Sequence, residues 1–168
     1  MAEVKEIKID GESIHIFNSA IYILESSAGY TLELDMIVSE VVVKKFKNEE
    51  NVIVEIELQD GRMINSYMHV KSLSGGLPQL NLFCELNDID EYEDFHMVNE
   101  NDFSFPNIEE GITLADIREF EMPDEKITLK ITLPIDQVEW LKKQKSKDLA
   151  EIMKEAIYDY WRKHDMGK

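Results

Sequence analysis

Apolar residues recur at every second position over much of residues 4–86, the period of a strand that turns one face to a core. Ile7 and Ile9 alternate with charged residues and stop at Asp10-Gly11, a turn signal. Ile14 and Ile16 follow, then the short run Ala20 to Leu24, closed by Ser26-Ser27-Ala28-Gly29. Tyr30, Leu32 and Leu34 alternate with Thr31, Glu33 and Asp35, and Val41-Val42-Val43 is β-branched and reads as strand. The clearest hairpin places Val52, Val54, Ile56 and Leu58 on one face, turns at Asp60-Gly61 and returns from Met63 to Val70. Gly75-Gly76 marks a turn before a strand over residues 80–86. The pattern predicts about seven short antiparallel strands, closed into a barrel or folded into a sandwich, with one apolar face and one acidic, solvated face.

Residues 87–110 lose the alternation and read as an acidic connector, with Phe95, Phe103 and Phe105 pinning it to the sheet. Its carboxylates raise the option of calcium. An EF-hand loop is disfavoured because Glu93 stands where glycine is needed for the bend. Residues 111–123 form a linker element. They read either as a short helix with Leu114, Ile117 and Phe120 on one side or as a further strand, ended by Met122-Pro123. A domain boundary is expected at Pro123-Asp124-Glu125.

Beyond it the alternation returns and then gives way to a helical period. Ile127, Leu129, Ile131 and Leu133 face one way, and Lys126, Thr128, Lys130 and Thr132 the other. Pro134 suits a first helical turn, followed by Ile135, Val138 and Leu141 on one face. A second helix begins near Ser146 or Asp148, with Asp148 and Glu151 as a capping-box variant. Leu149, Ile152, Met153, Ala156, Ile157, Tyr160 and Trp161 make its apolar stripe.

This order of strand, Leu133-Pro134, helix, turn and helix resembles the ribbon-helix-helix family of DNA-binding domains, over residues 125–163. The resemblance implies a homodimer in which two strands pair into a ribbon that enters the major groove. It implies base contacts from Lys126, Thr128, Lys130 and Thr132, and a phosphate anchored at the start of the second helix by Ser146 and Lys147. The alternative is that residues 126–133 are the last strand of the N-terminal sheet, with the two helices covering one end.

Charge sharpens the division. The chain of 168 residues carries a net −17. Residues 1–123 hold 8 Lys and Arg against 26 Asp and Glu, whereas residues 124–168 hold 10 against 9. The first part repels nucleic acid and favours basic protein partners; the second tolerates phosphate.

Other chemistries find little footing. Cys84 is the single cysteine, so no intrachain disulfide forms, and it reads as a small buried hydrophobe. His15, His69, His96 and His164 lack metal-ligand spacing, and neither a nucleotide-binding glycine loop nor a nucleophile elbow is present. No cofactor, metal or enzymatic activity is expected. No stretch is apolar enough for a membrane span and the start is too charged for a signal peptide, so a soluble cytoplasmic protein is expected. The reading is an α+β chain: an acidic antiparallel β-domain over residues 1–110, a linker element over 111–123 and a strand-helix-helix tail over 124–168. The expected function is a dimeric DNA-binding regulator with a sensing or partner-binding β-domain. The second reading is a non-enzymatic interaction module whose C-terminal helices only pack or dimerise.

Overall fold

Asp10 and Gly11 both take positive φ, 50° and 83°, in the computed structural model, which describes residues 1–73, 76–102 and 104–165. That conformation suits the tight turn joining β1 (Val4–Ile9) to β2 (Glu12–Ser13). Further strands are β3 (Asn18–Ser26), β4 (Gly29–Ile37), β5 (Asn51–Leu58), β6 (Met63–Leu73), β7 (Gln79–Leu86) and β8 (His96–Asn99). Gly61, at φ 91°, turns β5 into β6. Among the described residues the eight strands form one sheet in the order β2-β1-β5-β6-β7-β4-β3-β8. Every pairing is antiparallel except that of β8, which lies parallel to β3. The architecture is α+β. The order has two free ends, β2 and β8, so the sheet is not a closed barrel, which corrects one of the two expected forms.

Alternation selects the core. The inner face buries Ile7, Ile9, Ile23, Leu32, Leu34 and Ile56 completely. Phe46 and Phe95 join the same cluster, and Val42 and Val43 pack against it. The valines belong to a helix, α1 (Glu40–Phe46), rather than to the expected strand. Ser39 accounts for this: it accepts a hydrogen bond from the Val42 amide at 3.2 Å and caps the helix. Glu40 in the first turn and Lys44 and Lys45 in the last complement the helix dipole, which outweighs the modest β preference of valine.

The outer face is not wholly solvated, contrary to expectation. Ile37, Ile108 and Ile117 form a second small cluster there. Ile117 comes from α2 (Leu114–Phe120), opened by a reciprocal capping box between Thr113 and Asp116. The expected connector also contains structure: a 3-10 turn at Asp90–Tyr92, and β8. Arg62 fastens it, donating to Asp94 at 2.9 Å and to Asp60 at 2.8 Å, with its guanidinium 5.5 Å from the Phe95 ring centre. Gly75 and Phe103, named above as turn and anchor residues, lie outside the described residues.

The chain divides into two compact units, Met1–Asp124 and Glu125–Lys168. The second contains α3 (Ile135–Lys142), with Pro134 at its N-cap, and α4 (Ser146–His164). Lys145 occupies the N-cap of α4 with no side-chain bond, so the expected Asp148–Glu151 capping box does not form. Helix bonding already starts at the Lys145 carbonyl, which accepts from the Leu149 amide at 2.9 Å; Asp148 therefore sits inside the first turn, where its charge suits the dipole. Residues 126–133 belong to no helix and no strand. A strand exists only through a ladder, and among the described residues this segment has no ladder partner. The expected strand is therefore not formed among the described residues.

Candidate functional site

In the Glu125–Lys168 unit, the sequence-predicted residues lie on two elements. Lys126, Thr128, Lys130 and Thr132 are all exposed on the segment before α3. Ser146 and Lys147 open α4, where the first-turn amides have no side-chain cap. No hydrogen bond or ion pair joins the two groups among the described residues.

Three of the four apolar positions of the alternation are exposed as well, and Leu133 is half-buried. Ile127 is 71 %, Leu129 60 % and Ile131 62 % exposed. The helices repeat this: neither α3 nor α4 buries a residue, and Trp140, Ile157 and Trp161 stand about half open. A shallow hollow on α4 is lined by Ala156, Ile157, Tyr160, Trp161, His164 and Asp165. The described residues of this unit thus expose the backbone of 126–133, the apolar positions Ile127, Leu129 and Ile131, and an apolar stripe on α4.

The Met1–Asp124 unit holds a different site, which sequence reasoning missed. Cross-strand register on the outer face sets Asp35 opposite Asn81 and Asn81 opposite Lys71, with Tyr22 opposite Glu33. Tyr22, Glu33 and Asn81 are at least nine-tenths buried. The Asn81 amide nitrogen donates to Glu33 Oε2 at 2.8 Å and to Asp35 Oδ1 at 2.6 Å. The Tyr22 hydroxyl donates to Asp35 Oδ2 at 3.0 Å, and the Thr31 hydroxyl to Glu33 Oε1 at 2.8 Å. Burial is the main cause that pushes the Glu33 carboxyl above the ordinary range; the Asp35 charge adds to it, and the Asn81 and Thr31 bonds and Lys71 oppose it. Burial and Asp35 likewise push the Tyr22 phenol up. These residues line a cleft of about 590 Å3 whose apolar walls are Leu24, Leu73, Phe83 and Phe105. Alternation alone assigned Glu33 and Asp35 to a solvated face. Register and the chain passing over that face buried Glu33, and neither is written in one strand's pattern.

Cys84 is half-buried, accepts from the Ser66 hydroxyl at 3.4 Å, and has its thiol pushed up by burial, the reverse of an activated nucleophile. His15 stacks on Phe120 with ring centres 4.0 Å apart, and His69 packs against Phe83. Among the described residues no three His, Cys, Asp or Glu side chains gather as metal ligands, and no helix is long and apolar enough to cross a membrane. No family model, curated protein or solved structure matches the chain.

Proposed function

We propose that the protein is a dimeric DNA-binding regulator. Two copies pair residues 126–133 about a twofold axis into a ribbon-helix-helix arrangement, and the acidic unit serves as a sensing or partner-binding domain built on a sandwich-like curl of the sheet. The observation that carries this reading is a segment of strand alternation, Lys126 to Leu133, whose amides make no hydrogen bond among the described residues and whose Ile127, Leu129 and Ile131 are open. A second copy supplies both the missing ladder and cover for Ile127, Leu129 and Ile131. It leaves Lys126, Thr128, Lys130 and Thr132 outward, where lysine can donate to guanine acceptors and threonine can meet either base type. Ser146 and Lys147 present free first-turn amides to a phosphate.

Light scattering on the full chain tests the assembly, and fluorescence anisotropy with duplex DNA at two salt concentrations tests the partner. The expected results are a dimer and a DNA affinity that falls steeply with salt. Replacing Lys126 and Lys130 by Glu is expected to abolish DNA binding and leave the dimer intact. A monomer at micromolar concentration, or unchanged binding by the double variant, overturns the reading. The excess of acid over residues 1–123 favours a second reading, an interaction module whose tail only dimerises. A dimer that binds no DNA at low salt selects it.

A further inference from the structure

We infer that the outer-face cleft between β3, β4, β7 and β6 binds a small organic cation, an ammonium group carried on an aryl or alkyl body. The inference is independent of what the tail does. A cleft of about 590 Å3 has the size of a small-molecule site, and its apolar walls with a few convergent polar groups have the make-up of one.

The polar floor fixes the sign of the ligand. Two carboxylates, Glu33 and Asp35, share one amide, Asn81. The protein donors nearest them are already spent: Asn81 on both acids, Tyr22 on Asp35 and Thr31 on Glu33. Each carboxylate oxygen receives one protein hydrogen bond and has capacity for about two, so the floor offers acceptors and wants donors. Among the described residues Lys71 is the cationic side chain lining the cleft; it is exposed and lies outside ion-pair distance of both acids. Glu33 is buried and Asp35 half-buried beside it, with Lys71 acting on Glu33 without bonding to it; a bound ammonium relieves the repulsion between the two acids while gaining two charge-assisted bonds.

The walls fix the body of the ligand. Phe83 and Phe105 supply aromatic rings, and the Phe105 and Tyr22 rings lie nearly perpendicular with centres 6.2 Å apart. Leu24 and Leu73 complete the apolar lining. Phe105 is 46 % exposed in the unliganded chain, which leaves it apolar surface that an aryl or alkyl group covers. Aromatic walls beside a carboxylate floor also favour a cation over a neutral molecule of the same shape.

The test uses the full chain with 2-phenylethylammonium and hexylammonium as probes and 2-phenylethanol as the neutral control. Binding is read by calorimetry and by amide shifts in 15N-labelled protein. The expected result is saturable binding of both ammonium probes, with shifts concentrated on β3, β4 and β7, and at least about tenfold weaker binding of the alcohol. Glu33→Gln and Asp35→Asn, which keep the side-chain shape, each weaken the ammonium probes by about tenfold. Lys71→Met tightens them, because it removes a competing cation; a ligand of the opposite charge would respond in reverse. The inference is overturned if neither ammonium probe shifts these amides at millimolar concentration. It is also overturned if the alcohol binds equally well, or if Lys71→Met weakens binding. A calcium titration that displaces the probes stoichiometrically would overturn it as well, by making the acid pair an inorganic cation site.

Discussion

Leu34 and Leu129 occupy the same place in the same kind of pattern, an apolar residue among alternating polar ones. Leu34 is fully buried and Leu129 is 60 % exposed. The difference lies in what surrounds each pattern. Leu34 lies on β4, laddered to β3 on one side and β7 on the other, with its face against the inner core. Leu129 has no ladder on either side. Alternation therefore specifies that a face exists and what it requires; it does not specify whether the requirement is met inside the chain.

The largest expected effect breaks the comparison at its filled end. Replacing Leu34 by Ala removes a large side chain from a site with no exposure, and about 3 kcal/mol of unfolding free energy is expected to go with it. The same change at Leu129 is expected to leave the denaturant midpoint of the Met1–Asp124 unit unmoved, since Leu129 is already open to water. Chemical denaturation followed by far-ultraviolet circular dichroism compares the two. Equal losses would overturn the contrast between the two positions.

The next effect works on the empty end. Leu129→Glu and Ile131→Glu put charges on the face that the proposed twofold axis covers. Full-length chains carrying both are expected to elute as monomers where the parent elutes as a dimer, with the unfolding of the β unit unchanged. Retention of the dimer by the double variant would place the interface elsewhere.

What the sequence made legible follows the same line. The strands around Ile7, Leu32, Val54 and Leu82 were readable because their burial follows from their own alternation. So were the helices over residues 135–142 and 146–164, whose apolar positions recur at helical spacing; residues 111–123 left helix and strand both open, and the Thr113–Asp116 capping box decides for the helix. Val41–Val43 was misread because Ser39 decides that segment: one capping hydroxyl outweighs three modest side-chain preferences. β8 was missed because His96–Asn99 is short, lies at an edge, and is held by a parallel pairing with a strand far away in sequence. Lys126, Thr128, Lys130 and Thr132 read as one face of an alternating run, and the structure places them exposed on a segment that is neither helix nor strand. The cleft was not legible, because its parts sit on four strands and only the register brings Tyr22, Glu33, Asp35 and Asn81 together.

A smaller effect sharpens the contrast between helices that carry their own caps and one that does not. α2 is closed by the reciprocal Thr113–Asp116 bonds, and the Thr113 hydroxyl holds the Asp116 carboxyl below the usual carboxylate range. Thr113→Ala is expected to cost about 1 kcal/mol in equilibrium unfolding of the β unit. Ser146→Ala, at the first residue of the uncapped α4, is expected to cost little by the same measure and to weaken DNA binding where Thr113→Ala does not. A stability loss at Ser146 as large as that at Thr113 would show that α4 relies on that hydroxyl.

The smallest effect is a slope with pH, and it separates buried from exposed acids within one unit. Glu40, Asp60 and Asp94 are held low, mainly by hydrogen bonds from Arg118 and Arg62. Their contribution to stability is present above the ordinary carboxylate range and is lost as pH falls through their lowered values. Glu33 works the other way. Its folded-state carboxyl is raised by burial, so the folded chain holds that proton more tightly than the unfolded chain does. The stability this lends is complete below the ordinary range and disappears as pH climbs through the raised value. Glutamine keeps the shape of the protonated acid but cannot ionise. The midpoint difference between Glu33→Gln and the parent is therefore expected to be small near about pH 4 and to grow in favour of the variant toward about pH 7. The Arg-paired acids are common to both proteins, so their slopes cancel in that difference and leave Glu33 alone. Two parallel curves would mean that Glu33 titrates as it does in the unfolded chain, and that the floor of the cleft is wetter than its geometry implies.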